Sequence, residues 1–336
     1  MHPGRLQQKG IHIMSYDISV VVLTYNPKIE ELKLTLRSIL LQEGVSIEII
    51  TADDGSSQSP ADDIKSFLSA SGLTDYKLVM NPENQGTVKN VLSGVNAASG
   101  RFIKLISPGD YLYGKDVLKK MYDHAISSDS QFVFGDVIFF DSNREGINPV
   151  PHYSYPQFTD VFDKGADISR LKTNYILAND VVNGAATLVD RDLMAKYLNM
   201  IAGKVIFCED MIYRLMINDG IRPTYLPSDI LLYGYGTGVS SSSSKKWEER
   251  MHKDFREANK IIMASDSCSS SFARKLEKVE KALECSSGLK KMLIYFFTSP
   301  AIVRVKMSIK KSKRTTTVSV DNTYVEELFS YVKINE

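Results

Sequence analysis

Short apolar runs rich in β-branched residues alternate with amphipathic segments over the first third of the chain. The first run, ISVVVLT, begins at Ile18, and an amphipathic stretch over 29–42 follows it. Further strands are predicted at SIEIITAD, YKLVM and RFIKLI, with helices near 61–69 and 87–98 between them. Strands that are apolar throughout and joined by crossover helices are typical of a parallel sheet buried on both faces. The pattern therefore predicts half of a doubly wound α/β sheet up to about Ile106.

After Asp110 the alternation loosens, and the pattern favours a second, mixed subdomain. A long loop rich in proline and tyrosine over 148–160 interrupts it, and loops of this length often carry function. The other elements predicted here are a helix over 116–127, a strand FVFGDVIFF, a strand over 185–189, helices over 191–198 and 209–218, and strand-like pieces around Tyr225 and Leu231.

The last third of the chain is rich in charge and predicts helices. Serines 240–244 form a low-complexity hinge, beyond which 247–264 and 272–285 have the pattern of solvent-facing helices. Between Ser286 and Val320 there is no acidic residue, whereas eight lysines and arginines flank the apolar segments MLIYFF and AIVRV. This combination favours binding of the segment to an anionic membrane surface. An amphipathic helix packed on the core, or used in dimerisation, explains it equally well.

Composition and charge exclude several classes of protein. Hydrophobic residues make up 43% of the chain and charged residues 24%, as in ordinary globular proteins, and the net charge of +1 provides no field that would attract nucleic acid. The three cysteines are too widely spaced for a zinc site or a redox motif, so a reducing cytosol is expected. No apolar run reaches the roughly 18–20 residues that span a bilayer. Residues 1–15 lack the apolar core of a secretory signal and are expected to be disordered.

Polar residues stand where the predicted parallel strands end, and ligands of such sheets bind at that edge. Thr24, Tyr25 and Asn26 follow the first strand, where an aromatic ring can stack on a base, although the same residues suit an ordinary turn. Asp53 and Asp54 end the second strand and can accept hydrogen bonds from a base or a ribose, or cap the next helix.

Two further carboxylate positions are candidates for chemistry. Asp110 closes the fourth predicted strand in the turn Ser-Pro-Gly-Asp and could bind Mg²⁺ or Mn²⁺, which prefer oxygen donors. Glu209 and Asp210 precede a helical run, where a carboxylate could act as a general base or simply stabilise a helix N-terminus.

The order and spacing of VVVLTYNP, ITADDGSS, NPENQGTVKN and SGRFIKLISPGDYLY resemble glycosyltransferase family 2, the inverting enzymes of the GT-A fold. The resemblance spans roughly 18–241. It implies that Tyr25 stacks on uracil, with Thr24 and Asn26 alongside, and that Asp53 and Asp54 bond the uracil and the ribose. It also implies that the stretch containing Asn84, Gly86, Lys89 and Asn90 approaches the nucleotide sugar, with Lys89 suited to meet phosphate charge.

The resemblance departs from the family pattern at the metal motif. The family shows D-x-D or D-x-D-D after the fourth strand, but Ser107 and Gly109 occupy the usual aspartate positions here, which leaves Asp110 alone. A divalent cation, Mn²⁺ or Mg²⁺, is expected at Asp110, with Lys89 and backbone N–H groups as the alternative stabilisers of the leaving group. On the acceptor side, the resemblance makes Asp210 the catalytic base and Glu209 an acceptor contact.

The implied function is inverting transfer of a sugar from a UDP-hexose or UDP-N-acetylhexosamine to a carbohydrate or lipid-linked glycan in surface polysaccharide synthesis, such as a capsule or O-antigen. A nucleotidyltransferase is a second hypothesis, although LTYNP lacks the Gly-rich basic loop that holds a triphosphate. The third is a non-catalytic or metal-independent GT-A-like sugar-nucleotide-binding protein, suggested by the reduced metal motif. A dinucleotide-dependent oxidoreductase is disfavoured because no G-x-G-x-x-G follows the first strand.

The expected fold is α/β, with a Rossmann-like nucleotide-binding sheet, an abutting mixed acceptor subdomain and a C-terminal helical extension. The protein is expected in the cytoplasm, at the inner face of the cell membrane through 289–314, and self-association is left open. The predicted divisions are an extension over 1–15, a nucleotide-sugar-binding half over 16–112, an acceptor-binding half over 113–245, helices over 246–288 and a basic amphipathic segment over 289–336.

Overall fold

A computed structural model describes residues 16–144, 146–152, 154–207, 209–235, 245–311 and 314–330. The predictions for residues 1–15, for Cys208 and for the hinge at serines 240–244 lie outside these ranges.

The described residues form one eight-stranded sheet with the strand order β3-β2-β1-β4-β7-β6-β8-β5. Strands β1, β2, β3 and β4 pair in parallel, as the alternating pattern predicts. Beyond β4 the sheet is mixed, since β7 pairs antiparallel to β4 and to β6 while β8 runs parallel to β6. The strands are β1 (Tyr16–Thr24), β2 (Ile47–Asp53), β3 (Tyr76–Met80), β4 (Gly100–Ile106), β5 (Tyr111–Leu112), β6 (Phe132–Asp141), β7 (Thr187–Asp190) and β8 (Thr224–Tyr235).

Helices cover both faces of this sheet. The π-helical turn Thr173–Leu177 continues α5 directly. The helices are α1 (Ile29–Leu40), α2 (Ala61–Ala70), α3 (Thr87–Ala97), α4 (Val117–Ser128), α5 (Ile168–Lys172), α6 (Arg191–Ile201), α7 (Met211–Asn218), α8 (Lys245–Met263), α9 (Ser270–Leu283), α10 (Gly288–Thr298), α11 (Pro300–Lys310) and α12 (Asn322–Phe329).

The apolar run of β1 is buried on both faces of the sheet. Val20 and Val22 belong to the cluster on the side of α1, α2 and α4, whereas Val21 belongs to the cluster on the opposite side. Successive residues of a strand point to opposite faces, so a strand covered on both sides requires apolar residues without alternation. Full burial of each such side chain contributes about 1.5–3 kcal/mol.

The two predicted halves of the core share this one sheet. Strand β5, which ends the first half, pairs with β8 of the second at the far edge. The pieces predicted around Tyr225 and Leu231 are one strand, β8, whose register against β6 shifts on either side of Asp136. The boundary at residue 112 therefore lies within a continuous sheet.

The charge of the segments 247–264 and 272–285 predicted solvent-facing helices. In the structure, α8 and α9 are amphipathic and pack one face on the core. Ile262 of α8 and Leu276 of α9 are fully buried in the same apolar cluster as α7. The pattern did not predict α12, whose Tyr324 donates a hydrogen bond to the carbonyl oxygen of Leu112 at 2.6 Å. Among the described helices, none has both the length and the apolar character required to cross a membrane.

Candidate active site

The ends of β1 and β2 are locked together by Asp53. Thr24 lies opposite Asp53 in the parallel register, and its hydroxyl donates to the carboxylate at 2.8 Å. The backbone N–H and the hydroxyl of Ser56 donate to the same carboxylate at 2.8 Å and 2.6 Å. Asp53 and Thr24 are both buried. These contacts fix the loop after β2 against the end of β1.

Asn26 shapes the turn that follows β1. It adopts a positive φ of 46°, a conformation that asparagine tolerates better than most residues. Its side-chain oxygen accepts hydrogen bonds from the backbone N–H and the hydroxyl of Ser57, both at 2.9 Å. Tyr25 is 54% exposed between these anchored neighbours. Of the three residues predicted after β1, Thr24 is buried, Asn26 is exposed but uses its side-chain oxygen to hold Ser57, and Tyr25 presents an exposed ring to a ligand.

Asp54 joins the end of β2 to the loop before α3. Its carboxylate accepts the backbone N–H groups of Gln85 and Gly86 at 2.9 Å and 3.0 Å. Gly86 has a φ of 91°, and a Cβ there would lie 2.4 Å from Cγ2 of Ile206. A side chain is therefore excluded at this position by both conformation and space.

The residues predicted along α3 divide into one exposed and one buried position. Lys89 is exposed, whereas Asn90 is buried. Asn90 donates to the carbonyl oxygen of Ala52 at 3.0 Å and accepts from the Asn81 side chain at 3.0 Å. Asn90 therefore fixes α3 to β2 from beneath the surface, and Lys89 is the cation of this stretch that faces solvent.

Asp110 lies in the turn between β4 and β5, where the charges of Lys104 and Glu31 act on it. Its carboxylate accepts the backbone N–H of Gly234 at 3.1 Å. Burial raises the pKa of Asp110 to about 7, an effect that the Gly234 N–H and Lys104 oppose and that Glu31 reinforces. Lys104 is fully buried in β4 and donates to the carbonyl oxygens of Leu105 and Ala185. When Lys104 is protonated, its charge lowers the electrostatic cost of ionising Asp110.

Glu31 of α1 occupies the space next to Gly109, where the family pattern has an aspartate. A Cβ built on Gly109 would lie 3.3 Å from Oε2 of Glu31. The other oxygen of Glu31 accepts from Nζ of Lys28 at 2.8 Å. Glu31 carries no sequence signal, since it comes from the first turn of an ordinary amphipathic helix. Only the packing of α1 against the turn after β4 reveals it.

The donor chemistry at this point fits a divalent cation only in part. Asp110 and Glu31 offer carboxylate oxygens, which Mg²⁺ and Mn²⁺ prefer, and a magnesium ion needs one or two carboxylates when phosphates and waters complete its shell. Among the described residues, no three His, Cys, Asp or Glu side chains are grouped as a metal site would require. Any cation here therefore depends on the donor's phosphates for most of its ligands.

The loop that carries Glu209 and Asp210 packs against the loop before α3. The backbone N–H of Val88 donates to the carbonyl oxygen of Ile206 at 3.0 Å. From the other side, the buried carboxylate of Asp254 in α8 accepts the N–H groups of Ile206 and Phe207, at 3.2 Å and 2.7 Å. Asp254 was not predicted as a site residue, because its α8 neighbours show only an amphipathic charge pattern.

Asp210 stands at the N-terminus of α7 without capping it. Its carboxylate makes no hydrogen bond to the first turn of the helix. The alternative, that its charge stabilises the helix N-terminus, does not need such a hydrogen bond and stays a prediction. A Cβ on Gly184 would lie 3.7 Å from Cβ of Asp210, which places the carboxylate beside the turn before β7. Tyr213 of α7 is bonded to the hydroxyl of Thr187 at 2.9 Å, which fixes the helix to the sheet.

Both carboxylates of the Glu209–Asp210 pair have a raised pKa. Burial is the main cause for each, and the negative charge of Asp210 adds to the effect on Glu209. The buried guanidinium of Arg214, one helical turn further on, opposes the rise at Asp210. Arg214 is itself held by the carbonyl oxygen of Ile176 at 2.9 Å and by the Asn259 side chain at 3.0 Å. Adjacent carboxylates with raised pKa values are suited to taking up a proton near neutral pH.

A chain of direct contacts links several of the predicted residues, although they are far apart in the sequence. Thr24 contacts Asp53, Asp54 contacts the Gly86 loop, and that loop contacts Ile206 in the loop of the carboxylate pair. Asp110 is joined to β8 through Gly234. Thr24, Asp53, Asp54 and Asn90 turn inward and hold the loops, whereas Tyr25 and Lys89 face outward.

Known proteins resemble this chain in sequence or in fold. The family model described as Glycosyl transferase family 2 matches residues 19–185. The glycosyltransferase GlyG of Streptococcus pneumoniae serotype 4 is 29% identical over 134 residues, which are 39% of this chain and 42% of GlyG. The succinoglycan biosynthesis protein ExoO of Rhizobium meliloti is 28% identical over 127 residues, 37% of this chain and 35% of ExoO. The matched part thus spans less than half of these relatives.

Solved structures confirm the fold. The S. aureus TarS structure in complex with UDP-GlcNAc has a TM-score of 0.54 at 15% identity and covers 94% of this chain and 92% of that one. The mannosyltransferase PcManGT from Pyrobaculum calidifontis, in complex with GDP-Man and Mn²⁺, has a TM-score of 0.54 at 12% identity and covers 96% and 82%. The α/β GT-A fold with C-terminal helices, predicted from the order of the motifs, is confirmed. Over residues 19–185, just under half of its length, the chain matches glycosyl transferase family 2.

Proposed function

We propose that this protein transfers a sugar, with inversion, from a UDP-hexose or UDP-N-acetylhexosamine to a hydroxyl group of a carbohydrate or lipid-linked glycan during surface polysaccharide synthesis. The proposal rests on the carboxylate of Asp210, which makes no capping hydrogen bond to α7 and belongs to a loop that packs on the loop before α3. The similarity to the succinoglycan biosynthesis protein ExoO and to TarS in complex with UDP-GlcNAc supports the polysaccharide role and the UDP donor. The family match favours this transferase over the nucleotidyltransferase alternative.

The donor is held along the ends of β1, β2 and α3. The exposed ring of Tyr25 stacks on the base, and Lys89 meets the charge of the diphosphate. Asp53 and Asp54 bond the base and ribose with the acceptor positions that their internal hydrogen bonds leave free, since a carboxylate has about four lone-pair sites. Asn26, Gly86 and Asn90 shape the surface on which the nucleotide lies.

The sugar is transferred in one displacement on the side of Asp210. The Asp210 carboxylate takes the proton of the acceptor hydroxyl as its oxygen bonds to the anomeric carbon. The bond from that carbon to the diphosphate oxygen breaks on the opposite face, and the nucleoside diphosphate leaves with the electron pair. Glu209 contacts the acceptor. A positioned base of this kind contributes typically 10²–10⁴-fold to the rate.

Asp110, with Glu31 beside it, would hold a divalent cation, Mn²⁺ or Mg²⁺, against the donor's diphosphate. When bound, such an ion neutralises the charge that develops on the leaving diphosphate. The carboxylates of Asp110 and Glu31 would hold the ion, and Lys89, on the exposed side of α3, would neutralise part of the charge of the diphosphate. The transfer is placed at the cytoplasmic face of a membrane, because a lipid-linked acceptor would be presented there.

Donor hydrolysis tests the proposal most directly. The full chain is incubated with UDP-, dTDP- and GDP-sugars, each with Mn²⁺ or with a chelator, and release of nucleoside diphosphate is measured. We expect release of nucleoside diphosphate from a UDP-sugar. Tyr25→Ala should lose donor affinity without disturbing the core, because the ring of Tyr25 is exposed. If calorimetry detects no binding and no nucleotide sugar is hydrolysed, the proposal is wrong.

A further inference from the structure

Helices α10 and α11 present an apolar stripe to solvent. On α10, Leu289, Leu293, Phe296 and Phe297 recur at the spacing of a single helix face, and Phe297 is 77% exposed. Met307 of α11 is also exposed. A groove lined by Phe296, Val303 and Met307, among others, joins the two helices. A contiguous apolar surface of this kind marks an interaction site, whereas single exposed apolar residues do not.

The opposite faces of the same helices are packed on the core. Tyr295, Ile302 and Val305 are buried in the cluster that contains α7 and the π-helical turn. Lys306 turns inward and donates to the carbonyl oxygen of Ala178 at 3.1 Å. The core-packing interpretation of this segment is thus correct for one face, and the exposed stripe belongs to the other.

Arg314 also belongs to the core, although the sequence placed it in the membrane-binding segment. Its guanidinium donates to the carboxylate of Asp136 and to the carbonyl oxygen of Pro156, the latter at 2.9 Å. The segment 289–314 therefore contributes only part of its positive charge to the surface.

The charged residues that α10 and α11 themselves carry are all positive. Lys290, Arg304, Lys310 and Lys311 are exposed on or directly after the two helices, and Lys291 is half-buried. No acidic residue occurs between Ser286 and Val320. A second copy of the chain would fit poorly, since a twofold interface brings a surface against itself and would oppose these cations. An anionic surface with an apolar interior satisfies both features.

We propose that the exposed face of α10 and α11 is a membrane-insertion surface, with an anionic phospholipid bilayer as its occupant. Leu289, Leu293, Phe296 and Phe297 enter the boundary between headgroups and acyl chains, while the exposed lysines and Arg304 contact the headgroups. The inference rests on the membrane location in the proposed function and assigns that location to a specific surface. Lipid binding is measured without donor or acceptor. Failure of one proposal therefore leaves the other standing.

Vesicle sedimentation of the full chain tests the surface. Vesicles of phosphatidylcholine alone are compared with vesicles that also contain phosphatidylglycerol, for the wild type, Phe297→Ser, Leu293→Ser and Lys310→Glu. Wild-type protein is expected to sediment with the anionic vesicles and only weakly with the neutral ones. The partition constant should fall on the order of tenfold in Phe297→Ser. The partition constant should fall about fivefold or more in Lys310→Glu.

Ile126→Ser on α4 and Lys65→Glu on α2 are matched controls, because both residues are exposed on other helices. They should sediment like the wild type. The proposal is overturned if wild-type protein stays in the supernatant with anionic vesicles, or if Phe297→Ser and Leu293→Ser sediment unchanged. It is also overturned if light scattering shows a wild-type dimer that these two variants convert to a monomer, since the surface would then be a dimer interface.

Discussion

The backbone N–H of Val88 donates to the carbonyl oxygen of Ile206 at 3.0 Å, which ties the first turn of α3 to the loop that leads to Asp210. Gly86 lies at the same contact and brings the two loops close enough that a Cβ would be 2.4 Å from Cγ2 and 2.8 Å from the carbonyl oxygen of Ile206. The proposed donor side and the proposed base are therefore coupled mechanically, through backbone atoms.

Gly86→Ala should push the two loops apart. We expect a lower melting temperature and a fall in kcat/KM for transfer on the order of tenfold, because small displacements of catalytic groups cost that much or more. Gly72→Ala is the matched control, since Gly72 also has a positive φ but no atom within 4 Å of the added Cβ. Both variants place a side chain at a positive φ, which costs on the order of 1–3 kcal/mol. Equal activity losses in the two would show that the contact with Ile206 has no functional role.

Asp254→Asn should misplace the loop of the carboxylate pair from the other side. The carboxylate accepts N–H groups from Ile206 and Phe207, and its charge raises the pKa of Asp210. We expect kcat to fall more than donor affinity, and the acidic limb of the pH–rate profile to move to lower pH. Asp266→Asn, in the exposed turn after α8, should leave both unchanged. A fall in stability with an unmoved acidic limb would reduce Asp254 to a structural role.

Asp210→Asn should abolish transfer and retain the fold. The carboxylate makes no capping hydrogen bond to the start of α7, so its neutral amide should cost little stability. We expect the rate of transfer to fall on the order of 10²–10⁴-fold while donor affinity, measured by calorimetry, stays near that of the wild type. Glu209→Gln should raise KM for the acceptor more than it lowers kcat. Normal turnover in Asp210→Asn would remove this residue from the mechanism.

The pH dependence of transfer should reveal the partly buried base. Burial raises the pKa of Asp210, and only the deprotonated carboxylate accepts a proton, so activity should be lost as pH falls through this raised value. The acidic limb of kcat/KM should therefore lie above the ordinary aspartate value of 3.8. A circular dichroism spectrum at each pH separates loss of activity from unfolding. Full activity down to pH values near 4, with the fold intact, contradicts a buried base.

Local pattern predicted the parallel half of the fold because each of its strands is buried on both faces. The runs ending at Thr24, Asp53 and Ile106 are apolar enough to be recognised without knowledge of their partners. Strand β5 has two residues and exists only through its pairing with β8, so no local signal could reveal it. Helix α12 likewise depends on contacts with Tyr111 and Leu34, which are more than 200 residues away.

The candidate site was predictable where a motif ended a strand and was missed where a side chain arrived from elsewhere. The reduction of the metal motif was visible at Ser107 and Gly109, but the carboxylate of Glu31 beside Gly109 depends on the packing of α1. The sequence also did not distinguish which predicted ligands face outward. Asp54 and Asn90 are used largely inside the protein, a role that depends on the exact positions of neighbouring N–H groups.

Lys104 should leave a signature in the stability of the protein at alkaline pH. Burial lowers its pKa to about 7 from an ordinary value of 10.5, so between these values the unfolded chain binds more protons than the folded protein. Stability rises with pH wherever the unfolded state binds more protons, so Lys104 destabilises the fold below about pH 7 and this cost is recovered as pH rises toward 10.

Lys104→Met should therefore flatten the increase in unfolding free energy between pH 7 and pH 9, measured by urea denaturation at several pH values. Lys306, whose pKa is lowered to about 8, preserves part of the slope in both proteins. Lys65→Met on the surface of α2 should keep the full wild-type slope. The methionine also removes the charge of Lys104 from the neighbourhood of Asp110, so Asp110 should bind its proton more tightly. As the pH falls, the variant should therefore lose activity at a higher pH than the wild type does. An unchanged slope in Lys104→Met would mean that Lys104 stays charged in the folded protein, held by the carbonyl oxygens of Leu105 and Ala185.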